Sequence, residues 1–226
     1  MALDFDGTVT ELDVVDALLV AYAQGREWIE AEKAWSRGEI SSASCLERQL
    51  GGVKISPKEL AEFLKTVPLD PGFLALQKYL KRSRVPLIVL SDGFDLLIRN
   101  FFDLHGVRGV AFRSNALTHA ASRLVPTFPH LAKSCGRCAH CKRSSIAEIR
   151  SRVRRVIFVG DGLSDTCGAA AAHVVFAKGT LARFCEDKNI PYRPYRNLID
   201  VLEALPGLLK RKPAAARKNE KLLRSR

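Results

Sequence analysis

No apolar run in the chain approaches the ~20 residues that a membrane-spanning helix requires, which excludes a helical membrane protein. An acidic side chain arrives as early as Asp4, interrupting the apolar stretch that a secretory leader needs. A cytoplasmic protein is therefore expected, with its six cysteines as reduced thiols rather than a disulfide framework. Cys135, Cys138 and Cys141 lack the paired second half that an ordinary zinc ribbon has. Nothing between Glu27 and Lys65 reads as a strand, and nothing after Leu209 has an apolar period able to pack. A large excess of positive charge is missing from most of the chain too. Of the net +12, +7 falls in residues 210–226, where eight Lys and Arg face Glu220 alone. The remainder is ordinary for an enzyme with an anionic substrate, so no nucleic-acid or membrane footprint is expected. Residues 210–226 read as a flexible, solvated basic tail, with polyanion binding as the alternative.

What is present is a chain of 226 residues, 47% hydrophobic, long enough for one sizeable core and a small accessory domain. Residues 1–6 read as the end of a buried strand, oddly short, so that either the true start lies upstream or the strand is a stub. A helix follows over 13–23. Helices then run without interruption from Trp28 through Trp35, over 42–50, and after Ser56-Pro57-Lys58-Glu59, which has the spacing of a capping box with Pro in the first turn. Strands are expected at 85–90, 110–112, 156–159 and 174–176. Helices are expected at 72–81, 94–104, 144–152, 164–172, 181–188 and 198–209. The alternation of near-continuous apolar strands with helices predicts an α/β fold, a doubly wound and mostly parallel sheet covered on both faces. The expected division is a core over 1–12 and 71–209, with a hairpin and Cys-rich insertion at about 115–141. A helical cap over 13–70 is inserted after the first strand.

Three expected strand ends finish in polar residues: Asp4 and Asp6, Ser91 and Asp92, Asp161 and Asp165. Ligands of such sheets sit at the carboxyl ends of the strands, so these groups converge. Carboxylates gathered there repel one another unless a hard cation sits among them, and oxygen-only donors favour Mg²⁺. Lys142 can bring the positive charge that an anionic substrate requires.

The strings Asp4-Phe5-Asp6-Gly7-Thr8, Ser91 at the end of an apolar strand, Lys142, and Gly160-Asp161-Gly162-Leu163-Ser164-Asp165 resemble, in order, the four motifs of the haloacid dehalogenase superfamily. The resemblance implies an Mg²⁺-dependent phosphatase acting on a small-molecule phosphomonoester. In it Asp4 attacks phosphorus and forms an aspartyl phosphate. Asp6 protonates the leaving oxygen and then activates water. Asp161 holds Mg²⁺ with the Asp4 carboxylate and the Asp6 carbonyl, and Asp165 completes the metal site by holding its waters or Lys142. Ser91 and Lys142 grip phosphate, helped by backbone N–H groups near Asp6, Gly7 and Gly93, with Asp92 also counted in the phosphate site. Residues 138–146 and 176–195 are further similar to the methionine-salvage phosphatases of 2-hydroxy-3-keto-5-methylthiopentenyl-1-phosphate, with phosphoserine phosphatases next. Many salvage-type proteins have Ser-Gly-Gly where this chain has Ser91-Asp92-Gly93. The alternatives are a phosphoserine- or phosphoethanolamine-type phosphatase, or a non-catalytic binding module, against which Asp6 argues.

From the insertion, Arg48 and Gln49 could reach substrate, with solvated helix positions as the alternative, and Asp13 could face a substrate amino group or cap its helix. Trp28 and Trp35 read as one core-facing stripe, with a tryptophan over the active site as the alternative. Cys135, Cys138, His140 and Cys141 could hold a structural Zn²⁺; the alternative is packing of reduced thiols at the root of the hairpin.

Overall fold

The computed structural model describes residues 1–132 and 135–210; the expected basic tail, beyond Lys210, lies outside the described residues. Strands β1 (Ala2–Leu3), β2 (Ile88–Phe94), β3 (Ala111–Ala120), β4 (Arg123–Thr127), β5 (Ile157–Gly160), β6 (Val174–Ala177) and β7 (Arg193–Pro194) form one sheet in the order β4-β3-β2-β1-β5-β6-β7. Every pair is parallel except β3 with β4. The two-residue β1 lies at the centre, with Ala2 and Leu3 in register with Ile88 and Val89 on one side and with Phe158 and Val159 on the other. The order of the chain reverses about this strand, which places the ligand crevice at its carboxyl end, at Asp4.

Period-two alternation divides the core. Leu3, Val89, Val159 and Phe176 face one apolar cluster, with α5 (Phe73–Arg82), α6 (Asp95–Leu104) and α10 (Leu198–Lys210). Ala2, Leu90, Phe158 and Val175 face the other, with α7 (Lys142–Arg150), α8 (Thr166–Ala171) and α9 (Gly179–Asp187). Residues buried on both faces explain why these strands are continuously apolar in sequence.

The insertion is helical: α1 (Val14–Tyr22), α2 (Glu27–Ser36), α3 (Ser42–Gly51) and α4 (Pro57–Lys65). Ser56 and Glu59 close the capping box and Pro57 opens the helix. The cap residues Leu18, Leu50 and Leu60 belong to the same apolar cluster as Phe101 and Leu117. The Ile55 N–H also donates to Ser122 O at 3.1 Å, tying the insertion to the hairpin.

Some details differ from expectation. The strand expected at 110–112 and the first arm of the hairpin are one element, β3, which pairs with β2 through Ala111–Arg113 and with β4 through Ala116–Ala120. β2 runs on through Ser91 to Phe94 with a register irregularity. The exposed two-residue β7 has no sequence pattern to betray it. Trp28 and Trp35 divide: Trp28 packs against the core cluster, and Trp35 lines the catalytic cavity.

Candidate active site

Asp4 leaves the end of β1 with its N–H donated to Val159 O at 2.9 Å, so the ladder holds the backbone at the point where the side chain enters the site. Its Oδ1 accepts from Phe5 N–H at 2.7 Å and from Lys142 Nζ at 2.6 Å. The same ammonium donates to Asp165 Oδ1 at 2.6 Å, and all three groups are buried. Asp165 Oδ2 accepts from the N–H groups of Asp161 and Gly162 at 2.9 and 3.1 Å. Both Asp165 oxygens are therefore engaged, one holding Lys142 and the other shaping the turn that presents Asp161. Thr8 Oγ1 donates to Asp161 Oδ1 at 3.0 Å. Gly7 has φ +68°, and a Cβ there would stand 2.4 Å from Asp161 Oδ2, so the turn between Asp6 and Thr8 requires glycine twice over.

Asp6 Oδ1 accepts from Val14 N–H at 3.0 Å, which fixes it against the start of α1, and Oδ2 accepts from Ser91 Oγ at 3.3 Å. Ser91 Oγ in turn accepts from Gly93 N–H at 2.8 Å. Beneath it lies His140, fully buried, with Nδ1 3.0 Å from Ser91 O and Nε2 2.8 Å from Ser145 Oγ. A carbonyl can only accept, so Nδ1 carries the proton and Nε2 accepts from the hydroxyl. Burial, reinforced by Lys142, lowers this imidazole to about 3, and it is neutral. Asp92 accepts from Ser42 Oγ and from His140 N–H, both at 2.5 Å, and so bridges α3 of the cap to the segment before α7. Both of its carboxylate oxygens are thereby engaged, while the residue still lines the cavity.

These groups floor a cavity of about 530 Å³. Asp4, Asp6 and Asp161 lie on its floor, Asp13, Asp16, Glu32 and Asp92 on its walls, and among the described residues no Lys, Arg or His lines it. Desolvation, then repulsion from Asp165, holds Asp4 above the usual carboxylate range, with Lys142 opposing. Asp6 is raised by desolvation and then by Asp13. Asp161 is raised to about 6 by desolvation and by Asp165. Asp13 caps α1 by accepting from Asp16 N–H at 2.9 Å and also lines the cavity. Desolvation and then Asp16 hold it above the usual carboxylate range. Carboxylate oxygens of Asp4, Asp161 and Asp165 lie within 4.8 Å of one another. Hard oxygen donors crowded in a buried, electronegative pocket suit Mg²⁺.

Two expectations from the sequence are corrected. Arg48 is exposed and lines only a separate small cavity with Gln24 and Trp28, while its neighbour Gln49 lines both that cavity and the catalytic one. One step along a helix turns the side chain by about 100°. His140 cannot share a Zn²⁺ with the thiols, because both ring nitrogens are already engaged beneath Ser91. The thiols of Cys135 and Cys138 instead meet Cys167, from α8. Asp16 and Glu32 were not singled out from sequence, and neither was Tyr195, whose hydroxyl lies 3.2 Å from both Thr8 Oγ1 and Gly160 O. Asp16, three residues beyond Asp13 on one helix face, was the one with a readable signal.

A family model described as "Putative Phosphatase" matches residues 1–177. The chain belongs to this family, within the haloacid dehalogenase superfamily of phosphatases. Two curated relatives, from Exiguobacterium sp. and Geobacillus kaustophilus, bear the name 2-hydroxy-3-keto-5-methylthiopentenyl-1-phosphate phosphatase. The first is 26% identical over 91% of this chain and 96% of its own. The second is 27% identical over 89% and 93%. Among solved structures, a haloacid dehalogenase family hydrolase from Salmonella enterica serovar Typhi superposes with a TM-score of 0.70 at 18% identity, over 89% of this chain and 68% of that one. A phosphoserine phosphatase holding an analogue of its phospho-aspartyl intermediate gives 0.67 at 17%, over 89% and 96%. These two likenesses carry the fold: a mostly parallel sheet flanked by helices, as the sequence pattern predicts.

Proposed function

We propose that the protein is an Mg²⁺-dependent phosphatase that hydrolyses a small phosphomonoester through an aspartyl phosphate on Asp4. The observation that carries the reading is the Asp4–Lys142–Asp165 chain of 2.6 Å contacts at the carboxyl end of the central strand, beneath a cavity whose charged lining residues, among the described residues, are all carboxylates. Asp4 and Asp161, with the Asp6 carbonyl, would hold Mg²⁺, and the bound ion would neutralise charge on the phosphoryl oxygens. Lys142 holds Asp4 from beneath the cavity floor and Ser91 holds Asp6, so the two place the groups that meet the phosphate. Asp4, positioned by the Phe5 and Lys142 bonds, attacks phosphorus, and the leaving oxygen departs from the opposite side. Burial and Asp13 hold Asp6 above the usual carboxylate range, and beside the departing oxygen it would donate the proton that oxygen takes, the resulting carboxylate then deprotonating water. The cap walls exclude bulk water from this exchange. Turnover of an aryl phosphate that requires Mg²⁺ tests the reading; catalysis undiminished by chelator would sink it.

The names of the curated relatives bring a methylthiopentenyl phosphate to this site as one substrate. The wall of Asp13, Asp16 and Glu32 favours a second reading, a phosphomonoester whose organic half is cationic. Three carboxylates facing a neutral chain would be desolvated without return, whereas an ammonium compensates them. With no Lys or Arg in the lining, a substrate carboxylate finds no partner. This sets a phosphoethanolamine-type substrate ahead of phosphoserine. Glu32→Gln is expected to raise KM for ethanolamine phosphate at least ~5-fold with kcat little changed, as loss of a uniform binding contact does. Equal KM changes for ethanolamine phosphate and an uncharged alkyl phosphate would point back to the neutral substrate.

Metal binding also has a pH signature. A carboxyl whose folded pKa lies above its unfolded value destabilises the folded state as it ionises. For Asp161, raised to about 6, metal-free stability falls as pH rises from about 4 through 6. Mg²⁺ removes that loss only where the carboxylates are ionised. The Tm gain on adding Mg²⁺ is therefore larger at about pH 7.5 than at about pH 5, and scanning calorimetry at both values checks it.

A further inference from the structure

Outside the catalytic cavity, the densest group of metal-binding side chains among the described residues is a set of thiols shared by two segments far apart in sequence. Cys135 and Cys138 lie in the loop before α7, and Cys167 lies in the first turn of α8. Cys135 Sγ is 3.4 Å from Cys138 Sγ, Cys138 Sγ is 3.9 Å from Cys167 Sγ, and the three sulfurs all lie within 4.8 Å of one another. Tetrahedral Zn²⁺ with Zn–S bonds of about 2.3 Å sets its sulfurs ~3.8 Å apart, in the middle of these separations. Gly136, at φ +63°, lets the loop curl so that Cys135 and Cys138 turn to one point. The N–H groups of Arg137 and Cys138 both donate to Cys135 Sγ, the kind of outer hydrogen bond that steadies a metal-bound thiolate. The Cys141 thiol also reaches Cys135 and accepts from Ser144 Oγ at 3.4 Å. A second cavity, of about 290 Å³, is lined by Cys138 and Cys167 together with Arg137 and Arg143, giving an ion a path from solvent.

We propose that Cys135, Cys138 and Cys167 bind one structural Zn²⁺, with Cys141 as the fourth donor. All donors are soft thiols, which separates this site from the all-oxygen Mg²⁺ pocket. Its position gives it a task. The loop donates His140 beneath Ser91, presents Lys142 as the first residue of α7, and accepts from Ser42 N–H of the cap at Arg137 O, 2.8 Å. Cys167 stands two residues after Asp165, the anion that holds Lys142. A zinc staple there locks the segment carrying Lys142 to the segment carrying Asp165.

The test reads metal rather than turnover. Reduced protein produced with zinc in the medium and purified without chelator should hold one Zn²⁺ per chain, released by a thiol-specific mercurial. Replacement with Co²⁺ should give thiolate-to-cobalt charge-transfer absorption. Cys167→Ser should lower zinc affinity by more than about tenfold in competition with a chromophoric chelator, whereas Cys45→Ser should retain the ion. Wild-type protein that is fully reduced yet takes up neither Zn²⁺ nor Co²⁺ overturns the proposal. So does a folded Cys167→Ser variant that keeps the ion and the full charge-transfer band, or a native Cys138–Cys167 disulfide in place of the metal. If Cys167→Ser fails to fold, the wild-type stoichiometry, mercurial release and cobalt spectrum decide alone.

Discussion

Asp4→Asn is expected to lower turnover by at least ~10³ while the protein remains folded, with no phosphoenzyme formed. The amide keeps the shape of the side chain, and its oxygen can still accept from Phe5 N–H and Lys142 Nζ, the two bonds that place Asp4 at the end of β1. It has no nucleophilic carboxylate, and it removes one charge from the donors proposed for Mg²⁺. Hydrolysis of a phosphate monoester is among the slowest uncatalysed reactions, so covalent capture and charge neutralisation must supply much of the barrier reduction. Stability should move the other way. Asp4 lies above its ordinary range because burial and Asp165 disfavour its charge, so neutralising it relieves the metal-free fold. A metal-free Tm at or above wild type together with lost activity separates a chemical defect from a folding one. Trapping labelled phosphate on the protein, followed by acid quench, measures the intermediate. Residual turnover near wild type would remove Asp4 from the role of nucleophile.

The floor of the site was legible because each group sits on a local string at the end of an apolar strand, and local strings survive folding. Asp4, Ser91 and Asp161 needed only the rule that parallel strands deliver their carboxyl ends to one edge, whereas Lys142, the first residue of α7, was found through the family resemblance. The walls were harder. Asp16 and Glu32 lie on separate helices, and only the packing of α2 against α3 determines that Glu32 accepts from Gln49 at 2.9 Å beside the cavity. Arg48 and Gln49 were both candidates, and only the structure separates them, because one helical step decides which reaches the cavity and element boundaries read from sequence are good to a few residues. His140 misled because an imidazole among cysteines fits a metal site and a buried brace equally well; its partners Ser91 O and Ser145 Oγ have no signature in the string. Cys167 was invisible for a topological reason, since β5 separates it from the other thiols and only the α7–α8 contact closes the gap. Asp92 is intermediate. Its departure from Ser-Gly-Gly was visible, but its role as a bridge between Ser42 and His140 depends on where the cap comes to rest.

Asp6→Asn should divide substrates by leaving group, which no other single change at the site is expected to do. Asp6 is placed by Val14 N–H on one oxygen and Ser91 Oγ on the other, and an amide keeps the first of these, so its backbone carbonyl remains available to the metal. What is lost is the proton. An alkoxide leaves poorly without one, so an alkyl phosphate should lose ~10²–10⁴ in kcat, the range that general acid–base catalysis contributes. A nitrophenolate departs readily as the anion, so the first step with an aryl phosphate should fall far less. The second step needs a base to activate water, and the substituted amide supplies none, so the aryl substrate should show a burst of nitrophenolate followed by slow turnover as phosphoenzyme accumulates. Stopped-flow absorbance gives the burst, and acid-quenched labelling counts the covalent phosphate behind it. Losses of equal size for aryl and alkyl substrates, with no burst, would mean that Asp6 serves to position the phosphate or metal and that the proton comes from elsewhere.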